Sequence, residues 1–173
     1  AGLIGIVNSP GASLIGEDLT AVGGPVPTVR IDHAAYSGTA GEGYQQAVLA
    51  LLETVPPQPV PVRHGVNLVG LSIMHQDWED SAADLTGLLA QCGIKVNRVV
   101  GTGWNAADIG RSADAELTAV VHPEYGRRLA ETYRDRYGIP FTESPDGAPL
   151  GFGAVETWLR SVCEAVGADP TPA

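Results

Sequence analysis

The chain has 173 residues, 44% of them apolar, and a formal net charge of −10. This length suits one domain, or one domain with part of a second, and the apolar share is enough for a core. So acidic a chain repels phosphates, which argues against nucleic acid or an anionic membrane as its partner and leaves basic proteins.

No apolar run reaches membrane-spanning length and no signal peptide is visible. The sequence opens at Ala1, directly in an apolar run and without Met. We read it as an excised or processed piece of a longer cytoplasmic protein. The two cysteines, Cys92 and Cys163, stand far apart in sequence and within helical patterns. They predict buried, inert thiols rather than a disulfide framework or a Cys-rich metal site.

In chain order, residues 3–7 form a short strand-like run, and Glu17 and Asp18 are placed to start a helix after it. Residues 29–31 make a second strand. A helix is predicted over 43–55, with Tyr44, Ala47, Val48, Leu51, Leu52 and Val55 on one stripe. Four prolines between 56 and 61 then form a rigid connector. Residues 66–72 are the clearest buried strand. A helix over 78–92 follows, with Asp77 as its cap and Gly93 as its stop. Residues 96–100 are a strand, 106–111 a short helix and 117–121 a strand. Pro123 opens a helix that ends at Gly138. Phe141 marks a short strand, and a last helix carries Val155, Trp158, Leu159, Val162 and Val166. This alternation predicts an α/β fold, a mostly parallel Rossmann-like sheet with helices on both faces. We divide the chain into 1–28, the end of a preceding domain or a connecting segment; 29–166, the α/β domain; and 167–173, a frayed tail.

Open parallel sheets bind ligands outside the carboxyl ends of their strands. His33, His75 and His122 fall there, with Glu124 just beyond, while His64 in the connector is expected to be solvated. Residues 36–44 read YSGTAGEGY. Tyr36, Ser37, Gly38 and Thr39 in this stretch can offer backbone amides to an anion at a helix start, or simply make a tight glycine turn. Residues 101–106, GTGWNA, fit the looser dinucleotide form G-x-G-x-x-A. An acidic residue at the next strand tip is missing, because Glu124 lies inside the following helix. No G-x-S-x-G or H-E-x-x-H motif is present.

Five segments resemble, in order, those of nitrogenase component 1-type oxidoreductase subunits. They are LIGEDL at 14–19, the loop from Ser37 to Tyr44 with Ala47 beyond it, VNLVG at 66–70, LLAQCGIKV at 88–96, and HPEYGRRLAETYRDRYGIP at 122–140. The resemblance spans nearly the whole chain. It implies several Rossmann-like domains in one polypeptide, paired with a homologous component 1-type subunit. Electrons would come from an ATP-dependent iron–sulfur reductase and reduce a substrate at a metallocluster or tetrapyrrole site. Two departures bear on cofactors. Pro10 stands where catalytic subunits have a cluster-binding cysteine, and His122 stands where one branch has a cofactor-ligating cysteine.

We therefore expect no cofactor in this segment alone, with an iron–sulfur cluster or metallocofactor reserved for the intact complex. The expected pocket residues are His122, Glu124, Tyr36, Ser37, Gly38, Thr39 and His75. The alternatives are a non-catalytic scaffold or partner subunit, and a nucleotide-binding domain using residues 101–106.

Overall fold

The computed structural model describes residues 2–31 and 38–171, apart from the side chain of Thr20. Its strands are β1 (Ile4–Val7), β2 (Thr28–Ile31), β3 (Val66–Val69), β4 (Val96–Val100), β5 (Leu117–Val120) and β6 (Phe141–Glu143). Its helices are α1 (Pro10–Leu14), α2 (Ala40–Thr54), α3 (Trp78–Gln91), α4 (Ala106–Gly110), α5 (Pro123–Tyr137) and α6 (Phe152–Val166). Every strand pairing is parallel. β4, β3, β5 and β6 form one sheet in that order, and β1 and β2 form another. Thr28 of β2 stands opposite Ile4, so the expected boundary after residue 28 falls inside this second pairing.

The four-stranded sheet is covered on both faces because β3 and β5 are apolar at every position but one each, Asn67 and Thr118. On one face Val66, Leu68, Leu117 and Ala119 pack against Leu85 and Leu89 of α3 and Trp158, Leu159 and Val162 of α6. On the other, Val69 and Val120 pack against Val48 and Leu52 of α2 and Leu129, Ala130 and Tyr133 of α5. Two polar contacts fix the layers. Trp158 Nε1 donates to the Val120 carbonyl at 2.8 Å. Tyr133 donates through its hydroxyl to Ser112 Oγ at 2.7 Å. Asn67 is wholly buried yet satisfied: its Nδ2 donates to the Ser112 carbonyl and its Oδ1 accepts from Asn97 Nδ2.

Three local expectations need correction. Glu17 and Asp18 start no α-helix; the helix after β1 is the short α1, capped by Ser9 and opened by Pro10, and a single 3-10 turn follows at Leu19–Ala21. Asp77 precedes α3 with left-handed backbone (φ 54°), and its side chain makes no capping bond. Ala168, in the expected tail, donates its amide to the Cys163 carbonyl and packs on the core.

Candidate functional site

β3 connects to β4 on one side of it, while β5 lies on the other. The sheet therefore reverses its direction of growth between β3 and β5. The loops leaving these two strands part there, and a crevice opens at their carboxyl ends. Leu71, Ser72 and His75 come from the β3 side and Val121 and His122 from the β5 side.

Main-chain contact sets the spacing of the two loops. Gly70 has φ +96°, and a Cβ there would lie 2.5 Å from the His122 carbonyl oxygen. A Cβ on Gly126, in the first turns of α5, would lie 3.0 Å from Gly70 Cα. The strand end and the helix start thus touch with no side chain between them. From the other side, the buried Gln45 of α2 grips α5. Its Nε2 donates to the Glu124 carbonyl at 2.9 Å, and its Oε1 accepts from the Arg128 amide at 2.8 Å. These are the carbonyl and amide that an undistorted α-helix pairs with each other.

The His75 and His122 rings lie 4.3 Å apart, centroid to centroid, and Tyr125 meets His75 edge-on at 4.6 Å. His75 Nδ1 accepts the Ser72 amide at 3.2 Å, which places the proton of the neutral ring on Nε2. Burial holds the His122 imidazole below the usual histidine range, the nearby His75 adds to that, and Glu124 opposes it. The Glu124 carboxylate is 3.8 Å from His122 Nδ1 and mostly exposed, so its pull is weak. His122 is therefore neutral at neutral pH. It can accept a proton, donate one, or ligate a metal with one nitrogen. Tyr44 donates to the Leu71 carbonyl at 2.7 Å, and burial keeps its phenol protonated.

His122 lines a crevice of about 420 Å³ between α3 and the start of α6. Its walls are mainly apolar: Leu71, Leu85, Leu88, Val121, Leu150 and Val155, with Ser81 and Asp84 as polar points. Phe152, which also lines it, is fully exposed, and Leu150 is 73% exposed. Sequence reading missed this wall. Leu85 and Leu88 belong to the stripe that predicts α3, and the stripe does not show that Leu85 is buried in the core while Leu88 is only half-buried beside the crevice. Exposed apolar residues between Pro149 and Phe152, after a turn, were the available signal.

Of the expected pocket residues, His75 and His122 come together, and Glu124 stands beside His122 with its carboxylate turned to solvent. Tyr36 and Ser37, like His33, lie outside the described residues. Gly38 and Thr39 are exposed, and Thr39 is used as the cap of α2, in a reciprocal pair of bonds with Glu42. The glycines of 101–106 have a local role as well. A Cβ on Gly103, the second glycine, would lie 3.0 Å from the Trp78 ring, so the protein's own side chain fills the approach a pyrophosphate needs, and a Cβ on Gly101 would lie 2.3 Å from the Tyr44 hydroxyl. Asn105 caps the five-residue α4. His64 is exposed, as expected.

Among the described residues, no three His, Cys, Asp or Glu side chains are grouped to hold a metal. Pro10 occupies the first turn of α1, Cys163 lies in the core, and the half-buried Cys92 packs against it. These donors do not fit an iron–sulfur cluster. A single imidazole beside an apolar crevice does fit an axial contact to a large planar ring. Among the described residues, no helix is long and apolar enough to cross a membrane.

Comparison with known proteins bears on family and fold. The family described as nitrogenase component 1 type oxidoreductase matches residues 1–173. A light-independent protochlorophyllide reductase subunit of Rhodopseudomonas palustris is 32% identical over 92% of this chain and 32% of its own length. The protein of that name from Halorhodospira halophila is 31% identical over 94% of this chain and 31% of its own. A solved structure, "Nitrogenase Cp1 at pH 5", superposes with a TM-score of 0.79 at 19% identity, over 98% of this chain and 34% of that one. The chain spans about a third of the length of these relatives.

Proposed function

The chain belongs to the nitrogenase component 1 type oxidoreductase family, and on that premise we propose that it walls the substrate pocket of a tetrapyrrole-reducing subunit. In this reading the subunit pairs with a homologous component 1-type subunit, and an ATP-dependent iron–sulfur reductase supplies the electrons. The carrying observation is the apolar crevice at the switch point between β3 and β5, with the neutral His122 on its wall. The flanks of Leu85, Leu88 and Val155 suit the face of a conjugated macrocycle. His122 suits an axial contact to a central metal, or a proton held near the ring edge. The crevice continues onto the exposed Leu150 and Phe152, which suits a group larger than the crevice itself. The similarity to proteins named for protochlorophyllide reduction supports the same substrate class.

Pro10, standing where the resemblance implies a cluster-binding cysteine, favours a second reading, a scaffold or partner subunit that holds the ring without reducing it. The test titrates the full-length protein with free-base and zinc porphyrins, followed by absorption. Leu88→Arg is expected to weaken both by at least about tenfold, because it sets a charge against the apolar wall that the ring would cover. His122→Ala is expected to weaken the zinc form selectively. Folded wild type that binds neither porphyrin would overturn the tetrapyrrole reading. Binding without turnover in the complex reconstituted with its reductase would decide for the scaffold.

A further inference from the structure

The contact with Gly70 fixes the main chain of His122 but leaves its ring free to turn. His122 is the N-cap of α5, yet its side chain makes no capping bond. The Glu124 carboxylate stands 3.8 Å from Nδ1 and is mostly exposed, so it restrains the ring little. Among the described residues no hydrogen bond holds the His122 imidazole. The ring packed on it is that of His75, at 4.3 Å between centroids and tilted by 35°.

His75, by contrast, is held from both sides. Residues 72–75 make a tight turn just past β3, in which the His75 amide donates to the Ser72 carbonyl at 2.9 Å. The Ser72 amide donates to His75 Nδ1 at 3.2 Å, and the Met74 amide donates to Ser72 Oγ at 3.1 Å. Ser72 is wholly buried, while Ile73 and Met74 at the corners of the turn are exposed. Behind the imidazole, Tyr125 meets it edge-on at 4.6 Å, and Tyr44 meets Tyr125 at 5.7 Å. The Tyr44 hydroxyl donates to the carbonyl of Leu71, the residue before the turn, at 2.7 Å. The restraint thus closes on itself around His75.

We infer that His75 is a positioning residue: its ring, fixed by the turn and by Tyr125, holds the His122 imidazole in the orientation that an axial contact to a tetrapyrrole metal requires. This rests on the tetrapyrrole-binding role proposed for the crevice. His75 is not among the residues that line the crevice, so it acts through His122. A metal-ligating histidine is ordinarily oriented by a hydrogen bond from its other ring nitrogen. Here a ring contact takes that part. Without it the side chain spreads over several staggered rotamers, and only the competent fraction ligates. A ring pair of this kind favours one arrangement roughly threefold to tenfold over the rest. The two contacts of His75 are chemically separable. Its Nδ1 accepts a main-chain amide, which an asparagine oxygen can also do. Its ring face packs on His122, which a phenylalanine ring can also do.

The experiment compares full-length wild type, His75→Asn and His75→Phe, each shown to be folded by circular dichroism, in titrations with zinc and free-base porphyrins. The readout is the ratio of zinc to free-base affinity, with the red shift of the zinc porphyrin band as the signature of the axial bond. In His75→Asn the ratio is expected to fall roughly threefold to tenfold while free-base affinity holds, and His75→Phe is expected to keep the wild-type ratio. An unchanged ratio in His75→Asn would overturn the assignment. So would an equal fall in both variants, which would credit the turn rather than the ring, or an equal weakening of both porphyrins, which would make His75 a wall. A ligand-free readout separates this assignment from the tetrapyrrole reading. In protein with labelled histidine, nuclear Overhauser contacts from the His122 ring to the crevice methyl groups are expected in wild type and His75→Phe and lost in His75→Asn. Wild type that binds neither porphyrin but shows this pattern sinks the tetrapyrrole reading and keeps the positioning role; contacts retained in His75→Asn sink the positioning role itself.

Discussion

Gln45→Glu is the sharpest test of how the site is held. The side chain is 4% exposed, with Nε2 donating to the Glu124 carbonyl and Oε1 accepting from the Arg128 amide. The replacement keeps shape and the accepting oxygen but turns the donor into a carboxylate oxygen facing a carbonyl. An uncompensated buried charge costs about 3–5 kcal/mol. Protonation sets a ceiling. Neutralising a carboxyl group whose unfolded pKa is near 4.3 costs about 1.4 kcal/mol per pH unit, or roughly 3.7 kcal/mol at pH 7. The expected loss at pH 7 is therefore about 3–4 kcal/mol. The sign follows from linkage. The folded protein favours the protonated acid, so the folded pKa is raised; stability is intact below about pH 4.3 and is lost as pH rises through the folded value. Urea melts of variant and wild type at pH 4 and pH 7 give the measurement. With an m-value of about 2 kcal/mol/M, the variant midpoint falls by roughly 1.5–2 M at pH 7 and nearly rejoins wild type at pH 4. Midpoints equal at both pH values would refute the claim that Gln45 is a buried clamp on α5.

Three further outcomes are expected. Gly70→Ala places a Cβ 2.5 Å from a backbone oxygen at φ +96°, and should cost about 2–4 kcal/mol in denaturant melts and displace the His122 resonances. Trp158→Phe removes the donor to the Val120 carbonyl and leaves space beside a side chain only 1% exposed; a loss of about 2–3 kcal/mol is expected by the same assay. Burial lowers the His122 pKa below its unfolded value near 6.5, so the unfolded chain binds more protons and stability falls as pH drops through that value. The stability of wild type relative to His122→Gln should accordingly be greater at pH 7.5 than at pH 5.5, and a gap independent of pH would contradict it.

Much of the architecture was legible because local signals agreed. β3 is apolar except for Asn67, α5 begins at Pro123 and stops at Gly138, and each pattern has one reading. Where signals were short or ambiguous, sequence reading failed. The five-residue α1 has too few positions for periodicity, and the acids at 17 and 18, which resemble a helix start, precede only a 3-10 turn. Asp77 is a favoured capping residue, but its backbone is left-handed rather than the extended form a cap takes, and its side chain makes no capping bond. His75 and His122 could be assigned to strand ends, yet their approach to 4.3 Å depends on β3 and β5 being neighbours, which is a property of strand order. The crevice wall has the same origin: it depends on α3 and α6 sharing a face, and neither helix records that in its own stripe.

The contact of Gly70 with His122 and Gly126 has an evolutionary consequence. The histidine's position is dictated by main chain against main chain, whereas the crevice mouth is made of the outward side chains of Leu150 and Phe152. Substitution at the mouth leaves the glycine contact untouched. A lineage can then exchange one bound molecule for another by altering residues that hold up nothing, while the imidazole stays at fixed coordinates. The scaffold thereby separates what selection can change freely from what it must keep.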